Sequence, residues 1–300
     1  YSVQFIDANI QLYAICKELG YGDWWRSNAY HQAWHRGHMN FLAGLVDLDG
    51  IKGDVVGFSC TNTNRLFAIY LAKRIKERWP TKKTVMGGHD LFFEGDVGPV
   101  PNQWVNAICK GEGEHTIRDA MAKDLDDLGD VPGLYVPEGP GWRLTSERPL
   151  IKDLDEIPWP TFEEIEDMGL YDVPDLPLMA SRGCIGKCIF CNDRIRTRSY
   201  RTRSAINQVD ELQYLKERYD TDFFIYNDPL MNGDLKIMEQ KADEIIRRGL
   251  KVKYGGNIMV RPQMSEQFLR KLRQSGLTVS IMGIESGSNR TLKGMRKLHT

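Results

Sequence analysis

"SRGCIGKCIFC", residues 181–191, gathers three of the chain's six cysteines into one short loop, as Cys184, Cys188 and Cys191 in a C-x3-C-x2-C spacing. Thiolates bind zinc or iron–sulfur clusters. A structural zinc site draws four ligands, usually as two pairs, and no further Cys or His follows within about the next hundred residues. Three thiolates can instead hold three irons of a [4Fe–4S] cube and leave the fourth iron open. Gly183 and Gly186 suit a backbone wrapped closely around such a cluster. Zinc and uncommitted thiols remain as alternatives.

Outward from this loop, the second half of the chain alternates strand and helix. "LPLMASRGC" is a strand leading into the cysteines, and "FFIYNDP", "KVKYGGNIMV" and "TVSIMGIESGS" are three further strands. Between them, "LKIMEQKADEIIRRGL" is a helix with Met238, Ala242 and Ile245 on one face and Gly249 closing it. "SEQFLRKLRQSGL" is another, with Ser265 as N-cap and Gly276 as C-cap. A (β/α) barrel carries its working residues after the carboxyl ends of its strands. The cysteine loop, Asn227–Asp228, Asn257–Arg261 and Glu285–Ser286 all fall there. Four strands do not close a barrel, so an incomplete one is expected, and the chain is expected to be a fragment at both ends.

The first half also alternates. "DVVGFSC" is a short apolar run, as in a strand buried on both faces, and it enters a helix in which Phe67, Leu71 and Ile75 recur every four residues before Pro80. "KTVMGGHD" and "WVNAICKGEGEH" are two more strands stopped by glycines, with a helix from about Thr116. "SVQFIDANI" reads as an earlier strand. The expected fold is α/β: an N-terminal doubly wound, Rossmann-like parallel sheet over residues 1–145, a Pro- and acid-rich linker over 146–176, and a partial TIM-type barrel of four βα units over 177–300.

Composition narrows the function. The 300 residues are 41% hydrophobic and 27% charged with a net charge of −1, which suits a globular protein and gives no electrostatic reason to expect nucleic acid or a membrane surface as partner. No apolar run is long enough to span a membrane, and no signal peptide is visible. Cys16, Cys60 and Cys109 read as buried free thiols of a reducing compartment, so a cytoplasmic location is expected.

C-x3-C-x2-C with an aromatic before its last Cys, after the first strand of a βα barrel, resembles the radical S-adenosylmethionine (SAM) enzymes. The resemblance implies a [4Fe–4S] cluster on Cys184, Cys188 and Cys191. It also implies SAM chelating the open iron and one-electron cleavage of SAM to a 5′-deoxyadenosyl radical. Phe190 matches an aromatic position near the adenine. Asn227 and Asp228 stand where the family contacts the SAM amino group, and Glu285 and Ser286 where it contacts the methionyl or ribose part. Arg261 is a candidate partner for the SAM carboxylate. The alternatives are a turn at Asn227–Asp228 and a surface charge at Arg261. The resemblance implies a small-molecule or peptide substrate and an electron donor such as flavodoxin or ferredoxin.

The order "DVVGFSCTNTN", "VMGGHD", "CKGEGEHTI", "DLDEIPWP" resembles the cobalamin-binding domain that precedes some radical SAM barrels. That likeness implies cobalamin over the carboxyl edge of the first sheet, against Ser59, Thr61, Gly87, Gly88, Gly111 and Glu112. The chain departs from the D-x-H-x-x-G motif of other cobalamin domains, since no Asp stands two residues before His35, and the family's first strand is expected to be missing. His31, His35 and His38 share one face if helical, and packing is preferred to metal binding there. The leading function is a cobalamin-dependent radical SAM methyltransferase acting on an unactivated carbon. The alternatives are a cyclase or rearrangement enzyme with the same cofactors, and a non-catalytic metal-binding module.

Overall fold

The computed structural model describes residues 2–20, 40–61, 63–88, 91, 94–165, 168–171, 176–193 and 199–298. The chain forms two compact units, Tyr1–Leu150 with Phe162–Tyr171, and Ile151–Thr161 with Asp172–Thr300. The stretch read as a linker is thus shared, part packing with each unit.

In the first unit a five-stranded sheet runs in the order β1 (Val55–Ser59), β2 (Lys83–Gly87), β3 (Ala107–Cys109), β4 (Leu134–Glu138), β5 (Gly141–Leu144). β1, β2 and β3 are parallel, and β4–β5 is an antiparallel hairpin on the far edge. Alternation along the inner strands feeds two cores. Met86, Ile108 and Tyr135 pack with Ala68, Ile69 and Ala72 of α2 (Arg65–Arg78). Val85, Ala107, Cys109 and Leu134 pack with Ala120 of α3 (Glu114–Met121) on the other face.

Two expectations are corrected here. β1 is not buried on both faces: among the described residues it is an edge strand, paired on one side only, and its side chains are half-buried or exposed. "SVQFIDANI" is not a strand. Residues 2–7 carry no regular structure, and α1 (Ala8–Glu18) begins there, with the Asp7 carboxylate accepting from the N–H groups of Asn9 and Ile10 at 2.9 and 3.1 Å. Val3 and Phe5, whose alternation suggests a strand, are exposed.

The second unit holds a wholly parallel four-stranded sheet in the order β6 (Leu176–Leu178), β9 (Phe223–Tyr226), β10 (Lys253–Ile258), β11 (Leu277–Met282). These are successive βα units laid side by side, and among the described residues they do not close a barrel. Between β6 and β9 come a two-stranded antiparallel ribbon, β7 (Ser181–Arg182) with β8 (Arg201–Thr202), and α4 (Ala205–Tyr219), a helix the sequence reading passed over. α5 (Leu235–Arg248) and α6 (Glu266–Gln274) link the later strands, and α7 (Asn289–Gly294) follows β11. Two caps read from sequence are present: Ser265 accepts from the Phe268 N–H at 3.2 Å, and Gly249 closes α5 in the left-handed region; α6 instead ends at Ser275, with Gly276 one residue beyond at φ +109°. Among the described residues no helix is long and apolar enough to cross a membrane.

Candidate functional site

The cysteine loop leaves the carboxyl end of β6 and is pinched at its neck by the β7–β8 ribbon, where Ser181 faces Thr202 and Arg182 faces Arg201. Gly183 has φ +83°, and a Cβ there would lie 2.2 Å from the Ser199 carbonyl oxygen, so only glycine fits the neck. At Gly186 the bare Cα faces both nearby sulfurs. A Cβ would meet Cys184 Sγ at 3.3 Å and Cys188 Sγ at 3.6 Å, and the Gly186 N–H donates to Cys184 Sγ. The Cys191 N–H donates to the Cys188 carbonyl at 3.3 Å. Cys188 is buried, Cys184 and Cys191 are half-buried, and none is in a disulfide. Burial pushes the Cys184 thiol up; the Gly186 N–H lowers it, and charge on Cys188, Cys191 and Asp193 raises it further. Among the described residues no three Cys, His, Asp or Glu side chains meet closely enough to hold a single metal ion.

The other predicted residues of this unit line the same carboxyl edge but differ in what they offer. Asn227 is exposed, its own N–H spent on the Leu178 carbonyl at 2.8 Å. Asp228 departs from expectation. Its side chain is fully buried, one oxygen accepting from the Ala180 N–H at 2.9 Å and the other from the Ser181 hydroxyl at 2.7 Å. Side chains two apart share a face. Tyr226 and Asp228 are therefore both turned inward, and the exposed Asn227 lies between them. Arg261 is half-buried and donates to the carbonyls of Asn232 and Gly233 at 3.1 and 3.0 Å, so it braces backbone instead of standing as a surface charge.

Phe190 and Glu285 are brought together by a residue the sequence reading did not use. The Lys297 ammonium lies 5.7 Å from the Phe190 ring centroid and 3.3 Å from Glu285 Oε1. Glu285 sits in the left-handed region at φ +64°. The Ile189 N–H donates to the Met295 carbonyl at 3.1 Å, which ties the cysteine loop to the segment after α7. Ser286 accepts from the Ser288 N–H and braces its own turn.

Two asparagines stitch the strand ends: Asn257, which opens the Asn257–Arg261 segment expected at this edge, and Asn232, which the sequence did not single out. Asn232 is buried and exchanges two hydrogen bonds with the backbone of Met259, at 2.8 and 2.9 Å. Asn257 donates to the Asp228 carbonyl at 2.9 Å. The available signal was a polar side chain beside an apolar strand end, with no charge to mark it.

In the first unit the six residues predicted for cobalamin collect at the carboxyl ends of β1, β2 and β3. Ser59 pairs with Gly87 in register, and the Cys60 N–H donates to the Gly87 carbonyl at 2.7 Å. Gly88 has φ +112°, and a Cβ there would lie 2.3 Å from the Cys60 carbonyl oxygen. Gly111 has φ +79° with open space beside it. Ser59, Thr61, Gly88 and Gly111 are exposed, and Gly87 and Glu112 half-buried. Asn64, unremarked in the sequence, holds the loop after β1: its Oδ1 accepts from the Thr61 N–H at 2.7 Å and its Nδ2 donates to the Ser59 carbonyl at 3.0 Å. Cys60 and Cys109 are buried and Cys16 half-buried; burial pushes the Cys109 thiol up to about 11. His31, His35 and His38 lie outside the described residues.

Residues 178–300 match the family model of the Radical SAM superfamily. The chain is 28% identical over 251 residues to a protein of Pyrococcus horikoshii named an uncharacterized methyltransferase, covering 81% of this chain and 54% of that one. It is 30% identical over 268 residues to an anaerobic magnesium-protoporphyrin IX monomethyl ester cyclase of Rubrivivax gelatinosus, covering 82% and 46%. The chain thus spans about half the length of these relatives. Its fold is similar to that of OxsB, a cobalamin-dependent SAM radical enzyme solved with aqua-cobalamin and SAM bound. The TM-score is 0.66 at 18% identity, over 99% of this chain and 44% of that one.

Proposed function

The chain carries a radical SAM superfamily domain over residues 178–300, and we propose that it is a cobalamin-dependent methyltransferase of that kind, with Cys184, Cys188 and Cys191 as the cluster ligands. The observation that carries the reading is the cysteine loop itself: three free thiols on one pinched loop, at the carboxyl edge of a parallel sheet. The donor set fits a cluster. The Cys184 and Cys188 sulfurs flank the bare Cα of Gly186, as suits thiolates that each take a different iron, whereas a lone zinc draws its sulfurs to about 2.3 Å. Charge on Cys188 and Cys191 raises the Cys184 thiol, and a cationic centre relieves that repulsion.

When bound, the cluster supplies the electron that cleaves SAM into methionine and a 5′-deoxyadenosyl radical. The chain's own residues do the positioning. Asn227 presents an exposed amide beside the loop, able to accept from an ammonium. Phe190 offers a half-exposed ring for the adenine to stack on. Glu285 and Ser286 offer oxygens at the end of β11. Asp228 and Arg261 act behind these, by fixing backbone. In the first unit, Gly87, Gly88 and Gly111 leave the backbone bare for a large flat ligand, and the hydroxyls of Ser59 and Thr61 stand beside them as hydrogen-bonding groups for cobalamin. A small-molecule or peptide substrate and a flavodoxin- or ferredoxin-like electron donor complete the proposal.

The 30% identity to a cyclase over 82% of the chain supports a second reading, with the same cofactors and ring formation in place of methyl transfer. Anaerobic reconstitution tests the shared part. The protein is expected to take up about four irons with matching sulfide and show a broad charge-transfer band. Replacing Cys184, Cys188 or Cys191 by Ala should abolish this, while Cys16→Ala, Cys60→Ala and Cys109→Ala should not. Stoichiometric zinc without sulfide would overturn it. Transfer of label from methyl-labelled SAM to product distinguishes methyltransferase from cyclase.

A further inference from the structure

α5 buries a stripe of Met238, Lys241, Ala242 and Ile245 against the sheet. A lysine in such a stripe loses its hydration and needs compensation. Here the ammonium lies 4.2 Å from the Tyr226 ring centroid and 4.8 Å from that of Tyr254, the two rings standing edge to face at 82°. The Tyr254 hydroxyl is spent on Ser275 Oγ at 2.8 Å, whereas the buried Tyr226 hydroxyl has no hydrogen-bond partner among the described residues. Tyr226 thus serves Lys241 through its ring alone.

Asp228 lies two residues beyond Tyr226 on the same buried face of the strand end, and the Arg203–Glu211 pair, at 2.9 Å, is buried as well. Burial raises the Asp228 carboxyl, and the Ser181 hydroxyl and then Lys241 pull it back down. Burial lowers Lys241, and Asp228 opposes that.

What Asp228 holds is the neck of the cysteine loop. It grips the Ala180 N–H and the Ser181 hydroxyl, while the Ala180 carbonyl accepts from the Arg203 N–H at 2.9 Å. The first cluster ligand, Cys184, follows three residues later. We infer that Lys241 is a positioning residue for the cysteine loop, acting through the Asp228 carboxylate to fix the Ala180–Ser181 neck. The cluster assignment itself rests on the reading proposed above.

Charge removal in pairs tests it. Lys241→Met keeps the bulk of the stem but strands a buried carboxylate. Asp228→Asn keeps an acceptor for the Ala180 N–H and a donor for Ser181 Oγ, whose own proton can pass to the Leu230 carbonyl at 3.0 Å, but strands the lysine. The double variant is neutral and keeps the neck. Each single variant should exchange the Ala180 and Ser181 amide hydrogens several-fold faster than the parent, and the reconstituted singles should lose iron to a chelator about 10-fold faster. The double variant should return to near-parental values in both measurements. A lysine that merely fills space would give a double variant at least as impaired as Lys241→Met, and that result overturns the inference, as does a Lys241→Met protein indistinguishable from the parent. If Lys241→Met proves insoluble, a soluble double variant supports the inference and an insoluble one overturns it. A parent that takes up no iron refutes the cluster reading instead, and the exchange measurement still decides the role of Lys241.

Discussion

The two carboxyl edges of this chain are built in opposite ways. That of the first unit is made of backbone: Gly88 and Gly111 with positive φ, exposed hydroxyls at Ser59 and Thr61, and one neutral asparagine as its clamp. That of the second unit is underpinned by buried charged groups, Asp228, Lys241, Arg203 and Glu211. A bare, exposed edge suits a ligand that lies on it over a wide area. An edge braced by buried charged groups suits a loop whose sulfurs must be held in place, since buried polar networks confer rigidity when every member is satisfied.

Both edges nevertheless depend on one close backbone approach, and the largest effects are expected there. Gly88→Ala would drive a methyl into the Cys60 carbonyl, and Gly183→Ala would drive one into the Ser199 carbonyl. Each should cost more than about 3 kcal/mol in urea unfolding, because a disfavoured φ and a backbone clash add. Gly111→Ala shares the positive φ but meets open space, and should cost about 1 kcal/mol. Equal losses at Gly88 and Gly111 would show that φ alone, not close approach, shapes the first edge.

The buried charge of the second edge should appear as pH dependence. Burial pushes the Glu211 carboxyl up to about 7 despite Arg203 beside it. A folded state that binds a proton more tightly than the unfolded chain is favoured while that proton is on. Its contribution is full below the unfolded value near 4.5 and is lost as pH rises through about 7. Relative to Glu211→Gln, the parent should lose on the order of 2 kcal/mol of stability across that window. Parallel pH curves would mean that Arg203 keeps Glu211 ionised throughout, and that the second edge is a plain salt bridge.

Much of this fold was legible in the sequence where apolar period and caps agree. β2, α5 and α6 stand where "KTVMGGHD", "LKIMEQKADEIIRRGL" and "SEQFLRKLRQSGL" put them, because glycines and Ser265 punctuate them. α4 was not seen. Its inner face carries Gln208 and Glu211 among Val209, Leu212 and Leu215, and buried polar groups break the stripe that marks a helix. The β4–β5 hairpin was missed although "EGPG" marks its turn. At the site, the cysteines and Asn227 stand out as residue types. The inward turn of Asp228 and the burial of Lys241 did not, since a lysine between apolar helix positions reads as surface.

The smallest effect sharpens the contrast most. Asn64 joins the Thr61 N–H to the Ser59 carbonyl, bridging the loop that carries two of the six proposed cobalamin contacts. Its bonds are exposed to water, so Asn64→Ala should cost only about 1 kcal/mol of stability. Asn64→Asp keeps the acceptor for Thr61 and loses the donor to Ser59, and should fall between. If the first edge is a ligand platform, both variants should weaken hydroxocobalamin binding, measured by the shift of its visible spectrum, in the same order as their stability losses, and iron content should not change. Unaltered cobalamin affinity in both variants would remove Ser59 and Thr61 from the platform. Lost iron would mean that the two edges are not the independent constructions their chemistry indicates.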